Sequence, residues 1–145
     1  MPHLAISKHV DAPPATVWSI VADFANVNWI PVAGVVEVEG EGIGMRRLIH
    51  GSGTTPVAET LTSMNADRME LGYSITDNPL PVARFDALVS VRPAGDAATT
   101  VTWNVDYDPA GTTEADQTAA RDAVEAVYGM MAGWLADASS AREAT

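Results

Sequence analysis

A single long amphipathic helix near the C-terminus constrains this chain more than any other feature. Over residues 113–138 the apolar side chains Ala120, Val124, Val127, Met131, Leu135 and Ala138 recur at three- and four-residue steps, which sets them on one face. Asp116, Gln117, Arg121, Asp122, Glu125 and Asp137 fall largely elsewhere. At 1.5 Å per residue, roughly 25 residues span about 37 Å, the width of a small domain. Pro109, Ala110 and Gly111 interrupt the chain just before it, and Thr113 with Asp116 forms a weak capping box. A lone amphipathic helix needs a complementary apolar surface, and the preceding sequence offers a sheet.

Strand-like alternation begins at residues 4–10. Pro13 and Pro14 end it and suit the first turn of a helix, which carries Val17, Trp18 and Val21 on one side. Residues 23–30 read as a second short helix stopped by Pro31. Strand patterns then follow at 35–39, 45–50, 56–62, 68–75, 84–91 and 99–107. Clustered strands with segregated helices predict an α+β domain with one antiparallel sheet, connected mostly as a meander. Two glycine-rich turns separate early strands. Residues 40–44 have the flavour of a dinucleotide loop, but a strand follows where a phosphate cradle needs a helix N-terminus. The second, at 51–55, lacks the nucleophile-elbow spacing. Both read as hairpins.

Composition removes several function classes. With 145 residues the chain suits one domain with a real core. Its net charge of −11 repels phosphate backbones and anionic lipid surfaces, so neither nucleic acid nor membrane insertion is expected. It has no cysteine, which excludes disulfides, thiolate metal sites and a cysteine nucleophile, and suits a cytoplasmic protein. The N-terminus does not read as a signal peptide. His3, His9 and His50 have no metal-ligand spacing, so neither metal nor cofactor is expected. The sequence leaves room for a homodimer.

Asp11, Ala12, Pro13 and Pro14 followed by Val17 and Trp18 resemble the strand-to-helix signature of the START-related, pollen-allergen-like (SRPBCC) superfamily. Trp29, Ile30 and Pro31 do so too. Val57, Glu59 and Leu61, then Tyr73 and Ile75, then residues 79–82, then Val101 and Trp103, are similar to its polyketide cyclase/dehydrase branch. The resemblance implies a helix-grip fold: a seven-stranded curved antiparallel sheet wrapped around the long helix, with two short helices after the first strand and a hydrophobic cavity inside. The domain then covers residues 1–138, and 139–145 form a flexible tail. The superfamily includes lipid carriers, hormone receptors, chaperone activators and aromatic cyclases, so the fold alone does not specify a reaction.

Strand alternation assigns the inward residues. Val101, Trp103, Val105 and Tyr107 share one face, as do Phe85, Ala87, Val89 and Val91, and Met69, Leu71, Tyr73 and Ile75. Val57, Glu59 and Leu61 share a face, which turns a carboxylate inward. The neighbouring strand supplies either Arg46, Leu48 and His50 or Met45, Arg47 and Ile49, according to hairpin register. The first set is the expected one, with Arg46 beside Glu59.

Two functions compete. The first is binding of a hydrophobic, aromatic or polycyclic small molecule in an internal cavity. The residues expected to contact it are Trp29, Leu48, Glu59, Leu61, Tyr73, Phe85, Trp103, Val127 and Met131. The second is a polyketide cyclase or dehydratase, with Glu59 as acid/base and Tyr73 and Arg46 stabilising an enolate oxygen. A protein-interaction module with a vestigial cavity is a third reading.

Overall fold

The computed structural model of the protein describes residues 3–31, 34–50, 57–76 and 80–143. The elements in chain order are β1 (His3–Val10), α1 (Pro14–Ala22), β2 (Val35–Glu39), β3 (Arg46–His50), β4 (Val57–Asn65), β5 (Glu70–Thr76), β6 (Val82–Pro93), β7 (Thr99–Pro109) and α2 (Glu114–Glu143). The seven strands form one antiparallel sheet in the order β1-β7-β6-β5-β4-β3-β2. Consecutive strands from β2 to β7 pair as neighbours, while β1 pairs with β7, so the connection from β1 through α1 to β2 joins the two edges of the sheet. This is the expected α+β helix-grip architecture, with a curved open sheet and a long C-terminal helix. The turn at 51–55, the first residue expected in β4 (Pro56) and the loop at 77–79 lie outside the described residues.

Register aligns the inward residues in rows. Leu4, Val105, Ala87, Tyr73 and Leu61 stand opposite one another from β1 to β4. Ile6, Trp103, Val89 and Leu71 make the next row. Nearly all are buried, as alternation predicts for a sheet with one covered face. A bulge between Leu61 and Ser63 bends β4. Gly72 sits beside that bulge, where an added Cβ would lie 2.5 Å from Ser63 Oγ and 3.0 Å from Thr62 Oγ1. A side chain there would obstruct the bend.

The long helix starts as expected and ends later. Asp116 N donates to Thr113 Oγ1 at 3.0 Å and Thr113 N donates to Asp116 Oδ2 at 3.2 Å, a reciprocal capping box. The C-terminal end differs from the expected tail: α2 continues through Glu143. Ser139 is fully buried, its hydroxyl donating to Leu135 O at 2.8 Å. Thr16 and Ser19 of α1 bond Glu143 and Arg142, at 2.7 and 2.8 Å. Docking on α1 therefore supports turns that have little apolar periodicity of their own.

The second short helix does not form. Residues 23–30 make two successive turns, closed by Asn26 N to Asp23 O at 3.0 Å and Ile30 N to Val27 O at 2.9 Å. Asn26 accounts for the break, because its Oδ1 accepts from Asn28 N at 2.9 Å and competes with helical bonding. These turns still bury Phe24, Val27 and Ile30. α2 packs mainly over β1, β7 and α1, and the turns extend that cover toward the middle of the sheet.

Candidate functional site

Between sheet, turns and α2 the described interior is mostly apolar, and two polar pairs lie within it. The first joins β3 and β4. Arg47 and Glu59 are direct cross-strand partners and both are buried. Arg47 Nε donates to Glu59 Oε1 at 2.5 Å, and Arg47 Nη1 donates to Phe24 O at 3.0 Å. The guanidinium lies 3.9 Å from the Phe24 ring centre and 5.6 Å from that of Tyr73, within cation–π range. One side chain thus neutralises the carboxylate and also pins the 23–30 turns from below.

This is the opposite register to the expected one. Arg46 points to the other face and pairs with Glu39 at 3.2 Å, where both are well exposed. Leu48 shares that outer face, opposite Ala58. The reason lies in the apolar partners. Turning Arg47 inward carries Met45 and Ile49 with it, and both pack against the core. Main-chain bonds from Gly44 N to Leu61 O at 2.8 Å and from Leu61 N to Met45 O at 2.9 Å continue that register into the turn.

The second pair joins sheet to helix. The hydroxyls of Tyr73 and Tyr128 lie 2.9 Å apart. The Tyr128 ring stacks on Phe85, with centroids 5.5 Å apart, and meets Trp103 at 6.1 Å in a tilted contact. Phe24 tilts against Tyr73 at 6.1 Å. Burial, followed by the charge of Glu59, raises the Tyr73 hydroxyl far above the ordinary phenol range, and Tyr128, Arg47 and Trp103 only partly offset this. Burial likewise raises Tyr128, and Tyr73 and Glu59 add to the effect. Both phenols are therefore neutral at physiological pH and serve as hydrogen-bond groups rather than as bases.

An internal void of about 20 Å³ lies among these groups, walled by Val21, Phe24, Trp29, Arg47, Leu71, Tyr73, Val89, Trp103 and Met131. That is about the scale of one water molecule. Four expected contact residues, Trp29, Tyr73, Trp103 and Met131, meet there. Glu59 stands directly behind Arg47. Phe85 is buried behind Tyr128, and Val127 is only partly buried at the core margin. Leu61 turns inward but lines a separate outer cleft with Phe24, Met45 and Met64. Tyr128 is not among the residues that the sequence pattern singles out. It lies four residues after Val124 and three before Met131, so it fits the same helical stripe that was assigned to Val127. A larger cleft of about 430 Å³ lies outside, bordered by Ile20, Asp23, Asn26, Asn28, Trp29, Ala138, Ala141 and Arg142. Trp29 is a wall of both spaces. Among the described residues no three His, Asp or Glu side chains converge as a metal site, and no helix is long and apolar enough to cross a membrane.

A curved antiparallel sheet holding one long helix over a small, largely apolar void defines a START-related helix-grip domain. The chain belongs to the polyketide cyclase/dehydrase and lipid transport family, whose model matches residues 1–139. Membership gives the chain a general role in ligand binding or cyclase chemistry. Among solved structures it is similar to the protein XoxI of Bacillus cereus, at 21% identity over 99% of each chain with a TM-score of 0.83. A protein of Thermobifida fusca is 26% identical over 96% of this chain and 93% of its own, with a TM-score of 0.78. The Zhui aromatase/cyclase of Streptomyces sp. R1128 is 15% identical over 97% of this chain and 94% of its own, with a TM-score of 0.75. At that identity the last likeness concerns the fold.

Proposed function

We propose that this protein binds a hydrophobic, aromatic or polycyclic small molecule between the sheet and α2. The observation that carries this reading is the placement of two buried polar pairs, Arg47–Glu59 and Tyr73–Tyr128, close to one small void with a largely apolar wall. A buried ion pair is weak evidence for stability, since apolar replacements of similar volume are often as stable. Orienting a ligand is a use that stability does not provide. The void must enlarge to admit a ring system, and Trp29 is the side chain whose outward swing joins it to the outer cleft. The 23–30 turns carry Trp29 and lack a helical hydrogen-bond ladder, so this motion disrupts no regular element.

The test is titration with the neutral apolar fluorophore N-phenylnaphthylamine. Saturable one-to-one binding with quenching of tryptophan emission is expected. Met131→Trp, which fills the void from α2, should remove that binding while the fold persists. Absence of saturable binding by the parent protein, or equal binding by the variant, would overturn the reading.

A cyclase or dehydratase activity is the second reading, favoured by the nearness of a carboxylate to neutral phenol donors. Tyr73 would stabilise an enolate oxygen, with Arg47 taking the part first given to Arg46. Glu59 would remove or return the proton once a ligand has drawn Arg47 away from it. Glu59→Gln should then abolish turnover of a polyketone while ligands still bind.

A further inference from the structure

The two edges of the sheet are not alike. β1 and β2 each pair on one side only. β1 packs against α2, and Lys8, opposite Val101, sets a charge on its inward face. An inward-pointing charge guards an edge against pairing with another chain. β2 has no such guard. Residues Val35–Glu39 include no proline, pair with β3 without a bulge, and turn Val36 and Val38 inward beside Ile49 and Arg47. Val35, Val38 and Ile43, all on this one hairpin, are 68%, 44% and 61% exposed, a concentration of apolar surface that marks an interaction site.

The ladder identifies the main-chain groups on offer. Leu61 N donates to Met45 O, so Met45 and, by alternation, Arg47 and Ile49 turn their main-chain groups toward β4. Arg46, Leu48 and His50 turn theirs toward β2, where they meet Glu39, Glu37 and Val35. The N–H and C=O groups of Val36 and Val38 therefore face outward, with no strand beyond them among the described residues.

A second copy of the same strand fits this edge in one register. Two-fold antiparallel pairing can centre on Val36, Glu37 or Val38. Centring on Glu37 sets acid directly against acid, and centring on Val38 sets Glu37 against Glu39 twice. Centring on Val36 opposes Val36 to its own copy and Glu37 to Val35, so no acid meets another. Each acid also lies beside a basic group of its own chain, Glu37 at 3.2 Å from His50 and Glu39 at 3.2 Å from Arg46. We propose that β2 is a self-association edge, at which two copies of this chain join antiparallel about Val36 and exchange its N–H and C=O. The inward apolar row then continues from one copy to the other, and Val35 is covered by the stem of Glu37. So short a seam makes a weak, concentration-dependent dimer. It does not depend on ligand binding.

Sedimentation velocity of the parent protein, from low micromolar to near-millimolar concentration, should show a monomer–dimer equilibrium. Val36→Pro deletes one outward N–H and leaves the β2–β3 bonds in place, so it should stay monomeric with an unchanged circular dichroism spectrum. The chain has no cysteine, so one introduced thiol reports the register. Val36→Cys should be cross-linked by diamide roughly tenfold faster than Val38→Cys, whose two copies would stand about 13 Å apart, beyond disulfide reach. A parent that remains monomeric throughout, a dimer that survives Val36→Pro, or equal cross-linking at the two positions would each overturn the proposal. Should Val36→Pro fail to fold, the parent's sedimentation and the cross-linking ratio decide.

Discussion

Arg47 and Glu59 face each other across β3 and β4, joined at 2.5 Å with both side chains almost wholly withdrawn from solvent. Removing either partner alone strands the other charge. Arg47→Met should therefore destabilise the domain by about 3–5 kcal/mol in a urea melt. The double variant Arg47→Met with Glu59→Leu should recover most of that loss, because no unpaired charge remains. A single variant within half a kcal/mol of the parent would place the pair in water.

The phenols predict a distinctive alkaline limit. All three tyrosines have raised values, chiefly through burial. In the unfolded chain they ionise near pH 10. Above that pH the unfolded state holds fewer protons than the native state, so stability falls as pH rises. Tyrosinate absorbance from Tyr73 and Tyr128 should then appear in one cooperative step that coincides with loss of the fold. Tyr73→Phe with Tyr128→Phe should lessen the alkaline loss of stability. Gradual ionisation of Tyr73 or Tyr128 in the intact protein would contradict their placement.

Leu135 is fully buried where α2 crosses the sheet. Leu135→Ala should cost about 2–5 kcal/mol, the range for deleting a buried leucine side chain. An unchanged denaturation midpoint would mean that another face of α2 meets the core.

Much of this was legible in the sequence because it rests on periodicity. The inward rows through Trp103, Val89 and Leu71 follow from alternation, and the start of α2 follows from Thr113 and Asp116. What failed depended on a choice of one residue. Arg46 and Arg47 are adjacent, and a shift of one residue exchanges the faces of the whole strand. The apolar company of Arg47 and the exposed Glu39 available to Arg46 carried the deciding information. Val127 and Tyr128 are a similar neighbouring choice on a helical stripe. The turns at 23–30 depart from the helix that apolar spacing predicts because the Asn26 side chain takes a backbone donor. The last turns of α2 depend on contacts with Thr16 and Ser19, far away in sequence.

Trp29 borders both the inner void and the outer cleft, so it should control access. Trp29→Ala should speed association of N-phenylnaphthylamine severalfold in stopped-flow fluorescence, with the Arg47–Glu59 pair left intact. An unchanged association rate would mean that ligands enter elsewhere.

The most direct test of interior binding uses the four tryptophans as position markers. Trp29 and Trp103 border the void, whereas Trp18 and Trp134 do not. In an NMR titration with α-tetralone, the indole N–H signals of Trp29 and Trp103 should shift together and saturate. Those of Trp18 and Trp134 should stay nearly fixed. Saturable shifts confined to Trp18 or Trp134, or no saturable shift at any indole, would contradict a ligand site between the sheet and α2.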